Sequence, residues 1–281
     1  MKTDVGMGSP GDLGDKAKQG GHELAHAKTL GWLARAGLVA RGVVYGIIGI
    51  LALKLALGDG GKATNQEGAL KTIAGQPFGK ILLVLVAIGL GGYALWRLIR
   101  AAIGHGAEQE DSTFERFSAL DSGIAYGILC FTAIEIITSS GTGGGSPKQT
   151  TGGVLDWTGG TLLVGIAGAI LIGVAVYQAY KGLSKKFLED AKTGEMSEGV
   201  EKAYTALGVV GIAARAVIFA LIGYGLIKAA VDYNPKEAIG LDGALRELAH
   251  ASYGPALLGL VAAGLIVFGL YSIVDARYRK V

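Results

Sequence analysis

Residues 40–54 read ARGVVYGIIGILALK, and residues 214–228 read ARAVIFALIGYGLIK. The two stretches align without a gap, so that Arg41 matches Arg215 at an offset of 174 residues. Self-similarity at a fixed offset is the signature of a repeat architecture, in which one structural unit is copied along the chain. The alignment therefore predicts that the fold consists of copies of one unit packed against each other.

The repeat extends beyond these two stretches. Gly68-Ala69-Leu70 aligns with Gly243-Ala244-Leu245, one residue away from the same offset. A third and more divergent copy lies between the two at an offset of 81 residues, where Tyr45 falls on Tyr126. We predict three tandem units, preceded by a flexible cytoplasmic tail. The tail covers residues 1–33, and the units cover residues 34–104, 116–187 and 205–280.

The composition places these units in a membrane. Of the 281 residues, 51% are hydrophobic and only 17% are charged, whereas a soluble domain carries about 25% charged residues. A transmembrane helix needs about 20 mostly apolar residues, and six segments satisfy this length. They are about 34–57, 78–103, 116–139, 158–183, 205–231 and 253–276. The sequence thus predicts an all-α polytopic membrane protein with six transmembrane helices, two in each repeat.

Two spans return the chain to the side of the membrane from which it started, so the three units share one orientation. Parallel repeats are related by an axis along the membrane normal, and we expect a pseudo-threefold bundle. The 48 glycines, more than twice the usual share of about 7%, let helix backbones approach closely. Gly42 and Gly46 have the spacing of a helix-contact motif, which we expect to act within one chain rather than between two.

The basic residues predict an orientation for the bundle. Only Lys62, Lys71, Lys80, Lys148, Lys236 and Arg246 lie in the connections on one side, and most other lysines and arginines lie on the side of the termini. Because loops rich in Lys and Arg stay in the cytoplasm, both termini are expected there. The net charge is only +3. Since no face carries the concentrated basic footprint that nucleic-acid binding requires, nucleic acid is excluded as a partner.

Three motifs link the chain to a known family. They are ARAGLVARGVVYGIIG (Ala34–Gly49), GALKTIAGQPFGKILL (Gly68–Leu83) and GLGGYALWRLIRA (Gly89–Ala101). With these motifs the chain resembles the domain-of-unknown-function 1206 family of bacterial membrane proteins, and residues 159–187 resemble that family's second repeat. The resemblance implies three tandem two-helix units in a bacterial inner membrane. It implies no activity and no catalytic residue.

Charged residues inside apolar spans are functional candidates by default. The repeat aligns Lys54, Glu135 and Lys228 at one position of the unit, and it aligns Arg41 with Arg215 thirteen residues earlier. At 1.5 Å per residue the two levels lie ~20 Å apart, so each is shallow within a hydrocarbon core of about 30 Å. We predict the first level as a candidate polar cluster and the second as a further charged level.

Two interpretations of these charges stay open. The four basic side chains have long stems, and in the first interpretation they extend outwards to water. Glu135 has a short stem, and in the second interpretation it faces the bundle axis and pairs with Lys54, with Lys228 or with both, which lie at the same depth. Such a cluster would either stabilise the bundle or bind an ion or proton on a solute pathway.

A metalloprotease motif occurs outside the spans. His22, Glu23 and His26 form a literal H-E-x-x-H, which binds zinc when it lies on a helix. Asp242 lies in an L-D-G sequence that resembles the third-ligand element of intramembrane site-2 proteases. The motif lies in the polar tail, however, and five spans place Asp242 on the opposite side of the membrane. The repeat aligns Asp242 with Glu67, and we expect both to cap a short interfacial helix, with no metal bound.

These observations favour a protein without catalytic residues or a cofactor. We expect a non-enzymatic structural or accessory component of a membrane assembly, with the lipid bilayer, other membrane proteins or anionic lipids as partners. The alternative is a small-solute or ion transporter or channel with a polar site at Lys54, Glu135 and Lys228. A membrane zinc protease is a minor alternative.

Overall fold

The computed structural model describes residues 28–103, 113–138 and 147–280. In these ranges the chain forms nine α-helices and no strand beyond one antiparallel bridge between Ala191 and Arg279. The helices are α1 (Lys28–Ala56), α2 (Gln66–Ala74), α3 (Gly79–Ile103), α4 (Thr113–Thr138), α5 (Pro147–Leu155), α6 (Gly160–Leu183), α7 (Glu198–Val231), α8 (Leu241–His250) and α9 (Gly254–Tyr278). All except α2, α5 and α8 are long and apolar enough to cross a membrane. The predicted all-α membrane protein with six transmembrane helices is confirmed.

Each repeat unit contains a long helix, a short helix and a second long helix. The short helix follows the first span, so it lies opposite the side of the membrane where α1 begins and α9 ends, which we call the terminal side. The short helices α2 and α8 each bury one apolar edge, formed by Ala69 and Leu70 in α2 and by Ala244 and Leu245 in α8. These are the residues that the repeat aligns, so α2 and α8 use equivalent residues for packing.

The predicted capping role of the two acidic residues is wrong. In α2 the capping residue is Asn65, whose side-chain oxygen accepts a hydrogen bond from the backbone N–H of Gly68 at 2.9 Å. Glu67 lies in the first turn and pairs with Lys71 at 2.7 Å. Asp242 likewise lies in the first turn of α8. A carboxylate there still interacts favourably with the helix dipole, although it does not cap the helix.

Three of the long helices, α1, α4 and α7, begin earlier than the apolar segments suggest, and the difference is largest for α1 and α7. Helix α1 begins at Lys28, and α7 begins at Glu198 instead of residue 205. The early part of α7 is polar but still helical, and Glu198 and Lys202 form an exposed ion pair of 2.6 Å there at i,i+4 spacing. Hydrophobicity marks where a helix enters lipid, whereas the helix itself continues into water. Residues 1–27, most of the predicted tail, lie outside the described residues.

The turn into the second span has the same unusual backbone in all three units. Phe78, Gly159 and Tyr253 are repeat equivalents, and their φ angles are 60°, 83° and 62°. The residue that follows is always glycine, because a Cβ there would overlap a carbonyl oxygen of the preceding short helix. These glycines are Gly79, Gly160 and Gly254. The glycine matches of the repeat therefore have a steric cause.

The spans pack in a pattern that repeats from unit to unit. Helix α3 of the first unit packs against α4 of the second, α6 of the second packs against α7 of the third, and α9 of the third returns to α1 of the first. In each case the second span of one unit meets the first span of the next. This cyclic pattern is the one expected for the predicted pseudo-threefold bundle.

Small residues make these contacts at equivalent positions. Cys130 donates through its thiol to the carbonyl oxygen of Ala87, 3.3 Å away. A Cβ on Gly223 would lie 2.9 Å from the carbonyl oxygen of Gly168. Real Cβ atoms do not come this close, so only glycine fits. The three equivalent pairs, each with the first-span residue named first, are Gly49 with Ala262, Cys130 with Ala87, and Gly223 with Gly168.

The predicted helix-contact motif acts within the chain. A Cβ on Gly42 would lie 2.6 Å from the carbonyl oxygen of Gly269 in α9, and a Cβ on Gly269 would lie 3.0 Å from the backbone nitrogen of Gly46. Helices α1 and α9 thus touch backbone to backbone. Since they belong to the first and third units, this contact closes the bundle between the two ends of the chain.

The second unit departs from the threefold pattern. In the first and third units the two spans also pack against each other, as α1 with α3 and α7 with α9. Helices α4 and α6 are not among the helix pairs in substantial contact in the described chain. Only 22% of each of these two spans is buried, against 50–56% of α1, α3 and α9. The bundle is therefore open on the side of the second unit.

Candidate functional site

The residues of the predicted polar cluster lie in three different spans. Lys54 is exposed near the end of α1, and Glu135 is half-buried in α4. Lys228 forms an ion pair with Glu237 in the 3₁₀ turn Pro235–Glu237, with 2.9 Å between Nζ and Oε2. The grouping of Lys54, Glu135 and Lys228 around one axis stays a prediction.

The metalloprotease motif cannot be placed, since His22, Glu23 and His26 lie outside the described residues. Within the described ranges, no three His, Cys, Asp or Glu side chains are grouped so that they could hold a metal ion. Asp242 pairs with Arg246 on the surface, where their oxygen and nitrogen lie 3.4 Å apart. Its side chain is thus used in a local contact of α8.

Arg41, from the second predicted level, points into the bundle. The residue is only 8% exposed. Its Nε donates a hydrogen bond to Ser272 Oγ at 3.1 Å, and its terminal nitrogen lies 3.7 Å from the carboxylate of Asp275. Both partners belong to α9 and are fully buried. The interpretation that Arg41 extends outwards to water is wrong, because α9 offers it a buried carboxylate and a hydroxyl group.

Aromatic rings connect Arg41 to two further arginines. The guanidinium carbon of Arg41 lies 5.8 Å from the ring centre of Tyr93 and 5.2 Å from that of Phe268. Arg97 lies 5.6 Å from the Tyr93 ring, and Arg215 lies 5.2 Å from the Phe268 ring. We call the alternating series Arg97, Tyr93, Arg41, Phe268 and Arg215 the arginine–aromatic ladder. Such cation–π contacts are worth about 0.5–2 kcal/mol each.

All three repeat units contribute to this region. Tyr93 and Phe268 are repeat equivalents in the first and third units. Tyr126 of the second unit packs edge-on against Tyr93 with 4.8 Å between ring centres, and its equivalent Tyr45 packs in the same way against Phe268 at 5.0 Å. The ladder therefore lies where the three units meet.

The buried carboxylate of Asp275 contacts several polar groups beside the ladder. The hydroxyl of Tyr204 donates to Asp275 Oδ1 at 2.8 Å, and the hydroxyl of Tyr271 lies 3.3 Å from that of Tyr204. A guanidinium nitrogen of Arg279 lies 3.4 Å from Asp275 Oδ2. Because Arg41 also approaches this oxygen, Asp275 joins the first unit to both spans of the third.

Asp275 was missed by the sequence reasoning. It lies inside the predicted sixth span, so its position among apolar residues could have marked it as a candidate. The repeat gives a stronger signal, because the equivalents of Asp275 are Arg100 in the first unit and Lys181 in the second. An acidic residue at a position that is otherwise basic suggests a local counter-charge.

A second carboxylate lies outside the spans on the terminal side. Asp190 pairs with Lys181 at 2.7 Å and with Arg279 at 3.2 Å. Burial would raise the pKa of Asp190, but the positive charges of Arg279, Lys181 and Arg100 lower it to about 2. Burial also opposes the charge of Arg279, yet Asp275 and Asp190 keep its pKa above the usual value. These charges link the end of α9 to the connection between α6 and α7.

Asp190→Asn is expected to remove an acid-sensitive part of the stability. Because the pKa of Asp190 is lowered on folding, its ion pairs stabilise the protein fully above the ordinary value of 3.8 and are lost as the pH falls towards about 2. A shift of this size corresponds to about 2 kcal/mol. The melting temperature of the wild type in detergent should therefore fall more steeply over this range than that of Asp190→Asn.

Glu198→Gln is the control for Asp190→Asn. It removes the exposed ion pair with Lys202, whose two side chains are 84% and 75% exposed, so its melting curve should follow that of the wild type. Equal slopes for Asp190→Asn and the wild type would contradict the assignment of this pH dependence to Asp190.

Comparisons with known proteins agree with this architecture. The family described as Domain of Unknown Function (DUF1206) matches three successive parts of the chain, which are residues 36–104, 117–185 and 210–279. The uncharacterized protein YxxB of Bacillus subtilis is 34% identical over 248 residues, which cover 87% of this chain and 90% of that protein. No solved structure matches the chain. With three tandem copies of the family's repeat, this chain belongs to the DUF1206 family.

Proposed function

We propose that this membrane protein is a non-enzymatic structural or accessory component of a membrane assembly. The main support is that contacts between helices fill the interior of the bundle. Small residues fill the three contacts between units, and the contact of Arg41 with Asp275 ties the first unit to the third. The six spans also run as continuous helices over their described lengths, whereas many transporters use broken helices near the bilayer midplane.

The second unit offers a surface on which such a component could meet a partner. Helices α4 and α6 are the least buried spans, and they do not cover each other. Large apolar side chains point away from the bundle on both, including Ile128 on α4, which is 61% exposed, and Ile170 on α6, which is 52% exposed. We place the partner contact on these two helices because a transmembrane helix of another protein could fill the opening between them.

Photo-crosslinking in intact cells tests this role. A photoreactive residue at Ile128 or Ile170 is expected to give one discrete protein adduct. The control position is Leu260 on α9, which is 73% exposed and belongs to a span that is packed on both sides by α1 and α7. This position should give lipid adducts alone. The proposal fails if the second unit and the control give the same adducts.

A second candidate function is transport of a small solute or an ion. The sequence favours it through the aligned Lys54, Glu135 and Lys228, and the structure adds the positively charged arginine–aromatic ladder. The test is flux into liposomes that contain the purified protein alone. Transport would be favoured over the accessory role if the wild type carries flux and if Glu135→Gln or Arg215→Gln abolishes it. The melting temperature of the variant must stay unchanged.

We further propose that the protein resides in the bacterial inner membrane with both termini in the cytoplasm. The uneven distribution of Lys and Arg supports this orientation. A green fluorescent protein fused to the C-terminus should fluoresce in intact cells, because it folds in the cytoplasm. A periplasmic alkaline phosphatase fusion that is active at the same point would show the opposite orientation.

A further inference from the structure

Two arginines of the arginine–aromatic ladder lack an anionic partner in the described chain. Arg97 and Arg215 form no ion pair there, whereas Arg41 and Arg279 share the carboxylate of Asp275. The Nε atoms of Arg97 and Arg215 are buried and have no hydrogen-bond acceptor among the described residues. The guanidinium carbons of both arginines instead lie over aromatic rings.

A guanidinium group inside a membrane protein normally has a counter-charge. Charged side chains within spans are costly, and they pair with each other or with backbone carbonyls. An aromatic ring recovers only part of the lost hydration. Arg41 meets this requirement through Asp275 and Ser272, but Arg97 and Arg215, on either side of it in the ladder, do not. Because Arg41 has a carboxylate partner and its two neighbours in the ladder have none in the described chain, we infer that a ligand supplies the missing negative charge.

The internal repeat shows that the cation at the position of Arg97 is specific to the first unit. The equivalents of Arg97 are Gln178 in the second unit and Ser272 in the third. Ser272 accepts the hydrogen bond from Arg41, so a small acceptor occupies this position in the third unit. In the first unit the same position adds another cation. The three units thus place one cation, one amide and one hydroxyl group at one level.

The two arginines also remain accessible. Arg41 is buried, whereas Arg97 and Arg215 are each only half-buried. The guanidinium carbon of Arg215 lies 4.8 Å from the ring centre of Phe219 and 5.7 Å from that of Tyr45. Rings on several sides hold the guanidinium group in place and leave its terminal nitrogens as donors. The exposed part of each half-buried arginine side chain is where an anion would bind.

We propose that the arginine–aromatic ladder binds phosphate groups at its two ends, one in contact with Arg97 and one in contact with Arg215. The planar guanidinium fork matches two oxygens of a phosphate at once. Apolar rings beside the two cations suit a phosphate that carries lipid chains. The phosphate could come from the headgroup of an anionic lipid or from free phosphate in solution. The inference goes beyond the proposed accessory role and does not depend on it.

Thermal stability and native mass spectrometry of the detergent-purified protein test this proposal. The probes are phosphatidylglycerol, inorganic phosphate and, as the control for ionic strength, chloride. We expect phosphatidylglycerol to raise the melting temperature and to remain bound in the mass spectrum. Arg97→Gln and Arg215→Gln should each weaken the apparent affinity about tenfold. Arg215→Lys keeps the charge but loses the fork, so its affinity should lie between those of Arg215→Gln and the wild type.

The control variant is Arg246→Gln. Arg246 lies in α8, opposite the terminal side, and its side chain is 63% exposed, so the response to phosphatidylglycerol should be unchanged. A response to inorganic phosphate that the same two variants weaken would support the site and identify free phosphate as its source. The proposal is overturned if wild-type protein responds to neither phosphate probe beyond the chloride control. It is equally overturned if the Gln variants respond like the wild type.

Discussion

Gly269→Leu is expected to abolish the folded protein, because it separates the two helices that close the bundle. A Cβ at this position would already lie 2.7 Å from the carbonyl oxygen of Gly42, and a leucine side chain would have to displace α1 as a whole. Overpacking by a few methylene groups typically costs about 1–3 kcal/mol. Here a backbone blocks relaxation, so we expect a loss of at least about 4 kcal/mol, a size seen in few single substitutions.

The measurement is the folded fraction in detergent, from size-exclusion chromatography and thermal melting. Gly269→Ala should reduce the melting temperature clearly without abolishing folding. Gly46→Ala is the matched control, because a Cβ on Gly46 would have no neighbouring atom within 4 Å. In a helix this change should be neutral or stabilise by about 0.5–1 kcal/mol. A Gly269→Leu protein that melts like the wild type would show that α1 and α9 do not pack as described.

Asp275→Asn is expected to be the most damaging loss of a single charge. The carboxylate is fully buried and lies near the guanidinium groups of Arg41 and Arg279. Removing one member of a buried ion pair typically costs about 3–5 kcal/mol, because the remaining charge stays buried without a counter-charge. We expect a loss of this size in the free energy of unfolding in detergent.

The control for Asp275→Asn is Asp242→Asn. Asp242 pairs with Arg246, whose side chain is 63% exposed, and such surface pairs contribute about 0.2–1 kcal/mol. A double-mutant cycle with Arg41→Gln isolates the contribution of the ion pair between Arg41 and Asp275. Because both substitutions remove the same pair, the double variant should lose less stability than the sum of the two single losses. If Asp275→Asn and Asp242→Asn have the same small effect, Asp275 does not hold the units together.

Much of the fold could be predicted from the repeat and the hydrophobicity. The alignment of Arg41 with Arg215 and of Tyr45 with Tyr126 led to three units in one orientation, and six apolar segments led to six spans. The short helices were only partly foreseen, because they are amphipathic and too short to give a clear apolar segment. The start of α7 at Glu198 was missed for a related reason, since hydrophobicity does not detect helix that continues into water.

The candidate site was harder to predict than the fold. The sequence aligns Arg41 and Arg215 at one level, but it does not show which way their side chains point. Arg41 turns inwards because Asp275, which lies 234 positions later in the chain, is buried beside it. The clue was the acidic residue at a position that holds Arg100 and Lys181 in the other units. A repeat alignment that compares charge as well as identity would have found it.

By itself, the sequence determined that this is a membrane protein of six spans in three parallel units, because spanning lipid requires apolar helices of a minimum length and each pair of spans restores the orientation. Its glycines also determined where backbones could touch. Only the tertiary structure decided that α4 and α6 leave the bundle open and that Arg97 and Arg215 face rings without a carboxylate. Contacts between distant residues decide these features, and helix length and periodicity carry no information about them.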